Sequence, residues 1–336
     1  MKKVKNLYHF MKENKNINGI RVENEINLNE KEINENNNNI NNQNKKFNIL
    51  NSNISNTFNF HSDYINQIIL LKDGRIASSS NDKSIIIYNK INYSIQLQIK
   101  NLDDCVYNII QGSNDNIYAS IGNGTISIFK LTSLTTYEKI QTFKIHNDRV
   151  RKIIELKDGR FASCSKDKTI QIWEFNNNEL IIYHIFNQDN SISCILESNE
   201  NEIISTPEGN GSINFWNINE SLIISKISKI ECNWSWNNLK KSLNDIIIVG
   251  GIKYIYLINK IEIKNDCYSL CCLNNGNILT GHGNGYIKQW NLDNNELKFI
   301  EEKKVNDNYA IRVISQLKND LISSGFENKK FKIHKA

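Results

Sequence analysis

Past residue 46 the chain keeps alternating short apolar runs with turn-forming residues. Ile68-Ile69-Leu70-Leu71 leads into Lys72-Asp73-Gly74-Arg75, and Ile76-Ala77 is followed across Asn81-Asp82-Lys83 by Ile85-Ile86-Ile87-Tyr88. Short runs rich in Ile, Val and Tyr, broken by Asp-Gly, Asn-Gly or Asn-Asp, predict antiparallel strands joined by tight turns.

The pattern is also a repeat. Two segments align without a gap, His61 to Tyr88 and His146 to Trp173; in each, 21 residues lead from His to Asp (Asp82, Asp167) and six more to the closing aromatic. Equivalents of that closing residue fall at Tyr88, Phe129, Trp173, Trp216, Ile258, Trp290 and His334, at intervals of 41, 44, 43, 42, 32 and 44. Each unit predicts three strands and then a fourth, such as Ile95–Lys100 or Leu180–Phe186. One such sheet cannot cover both its faces, so seven copies must stack, and a radial ring follows.

Residues 47–336 resemble the WD40 family, and Ser163-Cys164-Ser165-Lys166-Asp167-Lys168-Thr169-Ile170-Gln171-Ile172-Trp173 looks like the signature strand, turn and strand of that family. The resemblance implies an all-β fold, a seven-bladed β-propeller of four-stranded antiparallel blades. It also implies a buried network of a His before the first strand, a Ser or Thr in the second, an Asp in the next turn and a Trp in the third. Carried over, the third blade supplies His146, Ser163, Asp167 and Trp173, and the first supplies His61, Ser78 and Asp82, with Tyr88 in the Trp place. These residues are read as structural. Elsewhere Thr206, Thr280 and Ser324 fill the Ser/Thr place, Asn210, Asn284 and Asn328 replace Asp, and the second blade has Ala119 and Asn123. The fifth blade, with Ile252 in the Asp place and a short outer strand, is expected to be irregular.

The last unit reaches His334-Lys335-Ala336 directly after its third strand. The expected donor of its fourth is Phe47–Phe60, which has alternating apolar residues and no repeat of its own. In the family's manner it would close the ring as the outer strand of the last blade.

Composition divides the chain. Of 58 Asn, many crowd residues 14–46, and with a single proline, Pro207, collagen-like and proline-rich classes are excluded. Residues 1–46 are read as a disordered Asn-rich tail. A short partner-binding helix at Val4–Lys12 is the alternative, because Leu7, Phe10 and Met11 cluster at helical spacing. Net charge is +5, and nine Lys/Arg against six Glu place +3 of it in the tail, leaving +2 on the repeats. That is too little for a dedicated nucleic-acid binder. Neither a signal peptide nor a membrane span is visible, so a cytoplasmic protein is expected, with the nucleus as the alternative. The seven cysteines are odd in number and scattered, which predicts reduced thiols.

Chemistry is sparse. Phosphate-loop, dinucleotide, zincin and nucleophile-elbow motifs are all missing from the sequence. Gly281-His282-Gly283-Asn284-Gly285 is explained as a tight turn. Cys267, Cys271 and Cys272 with His282 lack paired zinc-ligand spacing, and adjacent cysteines on a strand face opposite ways. Asp103-Asp104 and Glu301-Glu302 are placed in connections between blades. No metal, cofactor or enzymatic activity is therefore expected.

A non-catalytic protein-interaction scaffold is the expected function, a monomeric propeller within a larger complex that uses neither nucleic acid nor membrane. In WD40 proteins the top face commonly docks partners. Its positions here are Tyr64, Asn66 and Asn81; Cys105 and Tyr107; Arg149, Arg151 and Lys166; Ser191 and Ser193; Asp266 and Tyr268; Arg312 and Glu327; with Trp234 or Trp236 from the fifth blade. Arg149, Arg151 and Lys166 suit an acidic or phosphorylated protein segment. The alternative is an enzyme or small-molecule binder using the central channel.

Overall fold

The computed structural model describes residues 53–209, 213–218, 223–226, 238–241, 247–250, 254–256, 260–262, 267–293, 296–306, 308–318 and 321–335. The chain divides into two compact units, Met1–Lys45 and Lys46–Ala336, and every described residue lies in the second. The tail, residues 47–52 of the closing segment, Asn210, Cys232, Trp234, Trp236, Ile252, Ile258 and Asp266 lie outside the described residues.

Regular structure among the described residues is strand throughout, and no helix is long and apolar enough to cross a membrane. Six antiparallel sheets each take four consecutive strands. They are β2–β5 (Ile65–Leu70, Ile76–Ser80, Ile85–Tyr88, Ile95–Ile99), β6–β9 (Val106–Gln111, Ile117–Ile121, Thr125–Leu131, Tyr137–Lys144) and β10–β13 (Val150–Glu155, Phe161–Ser165, Thr169–Asn176, Glu179–Asn187). Then come β14–β17 (Ile192–Asn199, Glu202–Pro207, Asn214–Asn217, Ile223–Lys226), β18–β21 (Asn238–Lys241, Ile247–Gly250, Tyr254–Tyr256, Lys260–Glu262) and β22–β25 (Cys267–Cys272, Ile278–His282, Tyr286–Asp293, Glu296–Lys304). A further sheet joins β26–β28 (Ile311–Lys318, Leu321–Phe326, Phe331–Lys335) to β1 (Asn53–Phe58), in the order β1-β28-β27-β26.

First strands line the axis. β2 abuts β6, β6 abuts β10, and so on through β14, β18, β22 and β26, which returns to β2 and closes the ring. β1 runs antiparallel to β28, pairing Asn53 with Lys335, Ile54 with His334 and Phe58 with Phe331. Phe58 stacks on Phe331 at 4.8 Å between ring centroids.

The core lies between neighbouring sheets. Ala77, Ile87 and Leu97 of one sheet pack with Ile109, Ala119 and Phe129 of the next, and Ala162, Ile172 and Phe186 pack with Ile195, Ile203 and Trp216. Because second strands are covered on both faces, every position of β3, β7, β11 and β23 is buried. That explains runs such as Ile-Ala-Ser-Ser-Ser, where strict alternation of apolar and polar residues is absent. Each closing residue pairs with the start of its second strand: Tyr88 with Ile76, Phe129 with Ile117, Trp173 with Phe161, Trp216 with Ile203, Trp290 with Ile278 and His334 with Ile322.

A recurrent tie crosses the sheets at the far end of the first strands. The backbone N–H groups of Lys72, Ser113, Lys157 and Asn274 donate to the side chains of Gln111, Glu155, Glu197 and Gln316, each from the following sheet. Leu70 occupies the equivalent acceptor position in β2 and is 36% exposed, so the seam between β26 and β2 lacks this tie. There Ser315 donates to the Ile68 carbonyl instead, at 2.7 Å.

One placement is corrected. Glu301 and Glu302, expected in a connection between blades, sit on the outer strand β25, where Glu302 pairs with Lys288 at 3.1 Å. The hairpin pairs Tyr286 with Lys304 at one end and Asp293 with Glu296 at the other, so the charged run continues as strand.

Candidate functional site

Two arrangements of polar residues recur from sheet to sheet, one buried and one exposed. In the buried set, Trp173 Nε1 donates to Ser163 Oγ at 3.1 Å, Ser163 Oγ lies 2.9 Å from His146 Nε2, and His146 Nδ1 lies 3.0 Å from Asp167 Oδ2. A neutral imidazole with its proton on Nδ1 satisfies every member, each hydroxyl or ring N–H donating to the next group. The first sheet repeats this with Tyr88, Ser78, His61 and Asp82, at 2.7, 2.7 and 2.8 Å. Burial raises the Asp82 carboxyl, yet hydrogen bonds from His61, Ser84 and the Ser62 amide outweigh it and hold Asp82 at about 2. The same balance holds Asp167 far below the usual carboxylate range. Carboxylates engaged this way brace turns and offer no base to a substrate.

The other sheets vary the theme. Asn123, Asn284 and Asn328 accept the backbone N–H two residues on, as Asp82 and Asp167 do. In β23, Thr280 accepts the Trp290 indole N–H at 2.9 Å and contacts His282 Nε2 at 2.8 Å, so His282 stands in from within the strand. His334 replaces Trp in β28 and meets Ser324 Oγ at 2.7 Å. The Ser/Thr place of the fourth repeat belongs to Ser205, which accepts the Trp216 indole N–H at 2.8 Å, and not to Thr206. Ten residues separate Ser163 from Trp173 but eleven separate Ser205 from Trp216, so one extra turn residue displaces the register.

The exposed set crowns the ring. In six first strands the ladder shifts after the first residue, leaving Asn66, Tyr107, Arg151, Ser193, Tyr268 and Arg312 as extra, bulged residues. A β-bulge bends the strand and re-aims its side chain. Here it turns one residue per sheet toward the rim. A backbone bond then sets the residue before each first strand beside the turn between second and third strands: Asn81 N–H to Tyr64, Gly122 to Cys105, Lys166 to Arg149, Glu208 to Ser191 and Glu327 to Ala310.

Neighbouring sheets interlock through these residues. The Arg151 guanidinium lies over the Tyr107 ring, 5.1 Å from its centroid, and donates to Glu208 at 2.5 Å. Arg312 lies 4.6 Å over the Tyr64 ring and donates to Glu327 at 2.8 Å. Asn66 donates to Asn81 and to the Val106 carbonyl. Arg149 is exposed and Lys166 half-buried, and neither has a side-chain ion partner among the described residues. Burial pushes the Tyr107 phenol up while the charges of Arg149 and Arg151 act against it, which places both guanidinium groups within electrostatic reach of that ring. Tyr268 is half-buried over Gly283.

Sequence reasoning missed Glu208, for the same extra turn residue that hid Ser205. The sequence places His334 among the closing residues and Ser324 in the Ser/Thr place, and the structure joins the two at the same ten-residue spacing as Ser163 and Trp173. Cys267 and Cys271 are buried and His282 serves Thr280; among the described residues no group of three or more His, Cys, Asp or Glu could hold a metal ion.

A closed ring of four-stranded antiparallel sheets, first strands inward and second and third strands pinned by buried side-chain chains, is a β-propeller. Two of its repeats match the WD40 family. The WD40 profile (WD domain, G-beta repeat) matches residues 52–89 and 137–174, the two stretches holding the complete His61 and His146 networks. Over 167 residues the chain is 23% identical to a WD repeat-containing protein 55 homolog of Dictyostelium discoideum, a match covering 49% of this chain and 40% of that relative. The chain thus matches less than half the relative's length. The crystal structure of the WD40 β-propeller domain of Doa1 is similar with a TM-score of 0.69 and 17% identity, covering 84% of this chain and 97% of that one. At that identity the likeness is one of fold.

Proposed function

We propose that the chain is a non-catalytic interaction scaffold, a closed seven-bladed ring whose crown docks an acidic or phosphorylated segment of a protein partner. WD40 propellers are generally protein-interaction scaffolds, and the observation supporting this reading is the unequal use of the crown's cations. Arg151 and Arg312 are engaged by Glu208 and Glu327 and build the floor. Arg149 and Lys166 stand side by side, joined through the Lys166 N–H to Arg149 carbonyl bond, with no side-chain ion partner among the described residues. Two adjacent uncompensated cations beside the half-buried Tyr107 offer charge and an aromatic surface, the elements of a recognition patch.

The test is Arg149→Glu combined with Lys166→Glu, with Arg151 left unchanged because a carboxylate there would face Glu208. Affinity purification followed by mass spectrometry should lose the partners of the wild-type chain while the circular dichroism spectrum stays the same. Undiminished partner recovery would sink the reading.

A further inference from the structure

In the first strands, the position directly after each bulge ties one sheet to the next. It is held by Gln67, Asn108, Lys152, Cys194, Ser269 and Val313. Asn108 donates to Gln67 Oε1 at 2.6 Å and accepts the Ile153 backbone N–H at 2.9 Å, so it joins the first three sheets. Ser269 donates to the Ile311 carbonyl at 2.8 Å. Between the third and fourth sheets the tie is of another kind: Lys152 Nζ lies 3.2 Å from Cys194 Sγ. Amide pairs are inert to oxidants, whereas a thiol against an amine can be oxidised and then trapped by its neighbour.

Backbone on both sides holds this pair in place. Lys152 is paired with Cys164 in β11, and Cys194 with Thr206 in β15. Cys194 is 2% exposed and Lys152 half-buried, which leaves the lysine side of the contact open to a molecule as small as a peroxide. A second thiol, Cys164, lies within electrostatic reach. Burial, and then Cys194, push the Cys164 thiol far up while Lys152 acts against them. A thiol held protonated in this way is a poor nucleophile, so Cys194 is the sulfur that reacts.

We propose that Lys152 and Cys194 form a peroxide-responsive covalent clasp, an N–O–S bridge from Lys152 Nζ to Cys194 Sγ that locks the third sheet to the fourth. The chemistry balances with two molecules of hydrogen peroxide. Cys194 Sγ takes an oxygen from the first, giving a sulfenic acid and one water. The neutral Lys152 amine then bonds to the sulfenic oxygen. The second peroxide accepts the two electrons, with one proton from the amine and one from the sulfenic acid, and leaves as two waters. An inserted oxygen spans the gap with less approach of the two strands than a direct S–N bond would need. A dithiol reductant reverses the step, restoring thiol and amine and releasing the oxygen as water. The clasp is independent of the crown, standing whether or not Arg149 and Lys166 bind anything.

Peptide mass spectrometry of the reduced full chain, before and after a hydrogen peroxide titration, is the test. Wild type should yield a linked pair of peptides containing Lys152 and Cys194, whose mass is their sum plus one oxygen and minus two hydrogens. Dithiothreitol should take the pair apart. The treated chain should melt on the order of a few degrees higher, as a cross-link closing a long loop predicts, and lose that gain on reduction. Lys152→Arg keeps the charge, and Cys194→Ser installs what β22 carries at this position as Ser269. Each should abolish both the link and the shift. Cys164→Ser should keep both, since Ser79 fills that place in β3. A wild-type chain with no linked pair at peroxide concentrations that oxidise the half-buried Cys105 overturns the proposal. So does a Cys164–Cys194 disulfide, a direct S–N bond, or a Cys194 that stops at sulfenic or sulfinic acid. Each of these is read on the wild-type chain and decides the matter even if a variant fails to fold.

Discussion

His334 sits where other repeats place an aromatic, and the exchange gives the protein a titratable pin. Trp173 and Trp290 reach Ser163 and Thr280 through indole N–H groups, and His334 reaches Ser324 through Nε2, with Nδ1 finding no partner among the described residues. Burial, reinforced by the charges of Lys303 and Lys332, pulls His334 down to about 4. An unfolded imidazole titrates near 6.5, so between that pH and about 4 the unfolded chain binds a proton that the folded chain refuses. Stability is lost as pH falls through this window, on the order of 3 kcal/mol by its end. Asp82 acts lower: held at about 2 in the fold against about 4 unfolded, it contributes stability above pH 4 that disappears as pH falls toward 2. His334→Trp should remove the upper part of the acid sensitivity and leave the lower part. Urea denaturation at pH 7 and pH 5 measures it, and an unchanged difference between the two pH values would contradict the assignment. Spacing made the complete networks legible, since His61 and His146 stand 21 residues before their Asp partners. His334 was legible by the same alignment, which set it in the closing place with Ser324 ten residues before it; a partner that slipped by one residue, as Ser205 did, was not.

At the scale of strands and turns, glycines separate two kinds of constraint. Gly124 and Gly159 both adopt left-handed backbone, with φ of +86° and +89°. A side chain at Gly159 would meet nothing within 4 Å, whereas one at Gly124 would collide with the His146 carbonyl oxygen as the chain enters the next sheet. Gly159→Ala should therefore cost about 1–2 kcal/mol, the left-handed penalty alone, and Gly124→Ala at least about twice that. Equal midpoints in chemical denaturation would refute the distinction. Sequence pattern located the strands and their turns well, because Ile-rich runs and Asp-Gly or Asn-Gly pairs mark both. It could not show the bulges, since Asn66, Tyr107 and Arg151 occupy positions indistinguishable in hydropathy from ordinary alternation. Those bulges aim the crown, so the crown's composition was readable while its internal pairing, Arg151 to Glu208 above all, was not.

For the whole molecule, closure falls to a single pair of strands. The alternating residues before the first repeat signalled a donor, and β1 runs along β28 with Phe58 buried against Phe331. Deleting residues 47–60 exposes the edge of β28 and removes a buried aromatic whose loss alone is typically about 3–5 kcal/mol. Aggregation on mild heating should follow; a soluble chain melting as wild type would refute the dependence. The seam beside this sheet also lacks the carboxylate or amide tie found between several other sheets, since Leu70 stands in its place. The pairing of β1 with β28 has a mechanical consequence as well. Asn53 lies opposite Lys335, so tension applied outward from these two residues meets the hydrogen bonds of β1 and β28 one pair at a time, as a zipper, and not all together, as in shear. A pull from the two ends would open the ring at low force, strand by strand from that seam, while the same pull exerted between two points on opposite sides of the ring would have to break whole sheets.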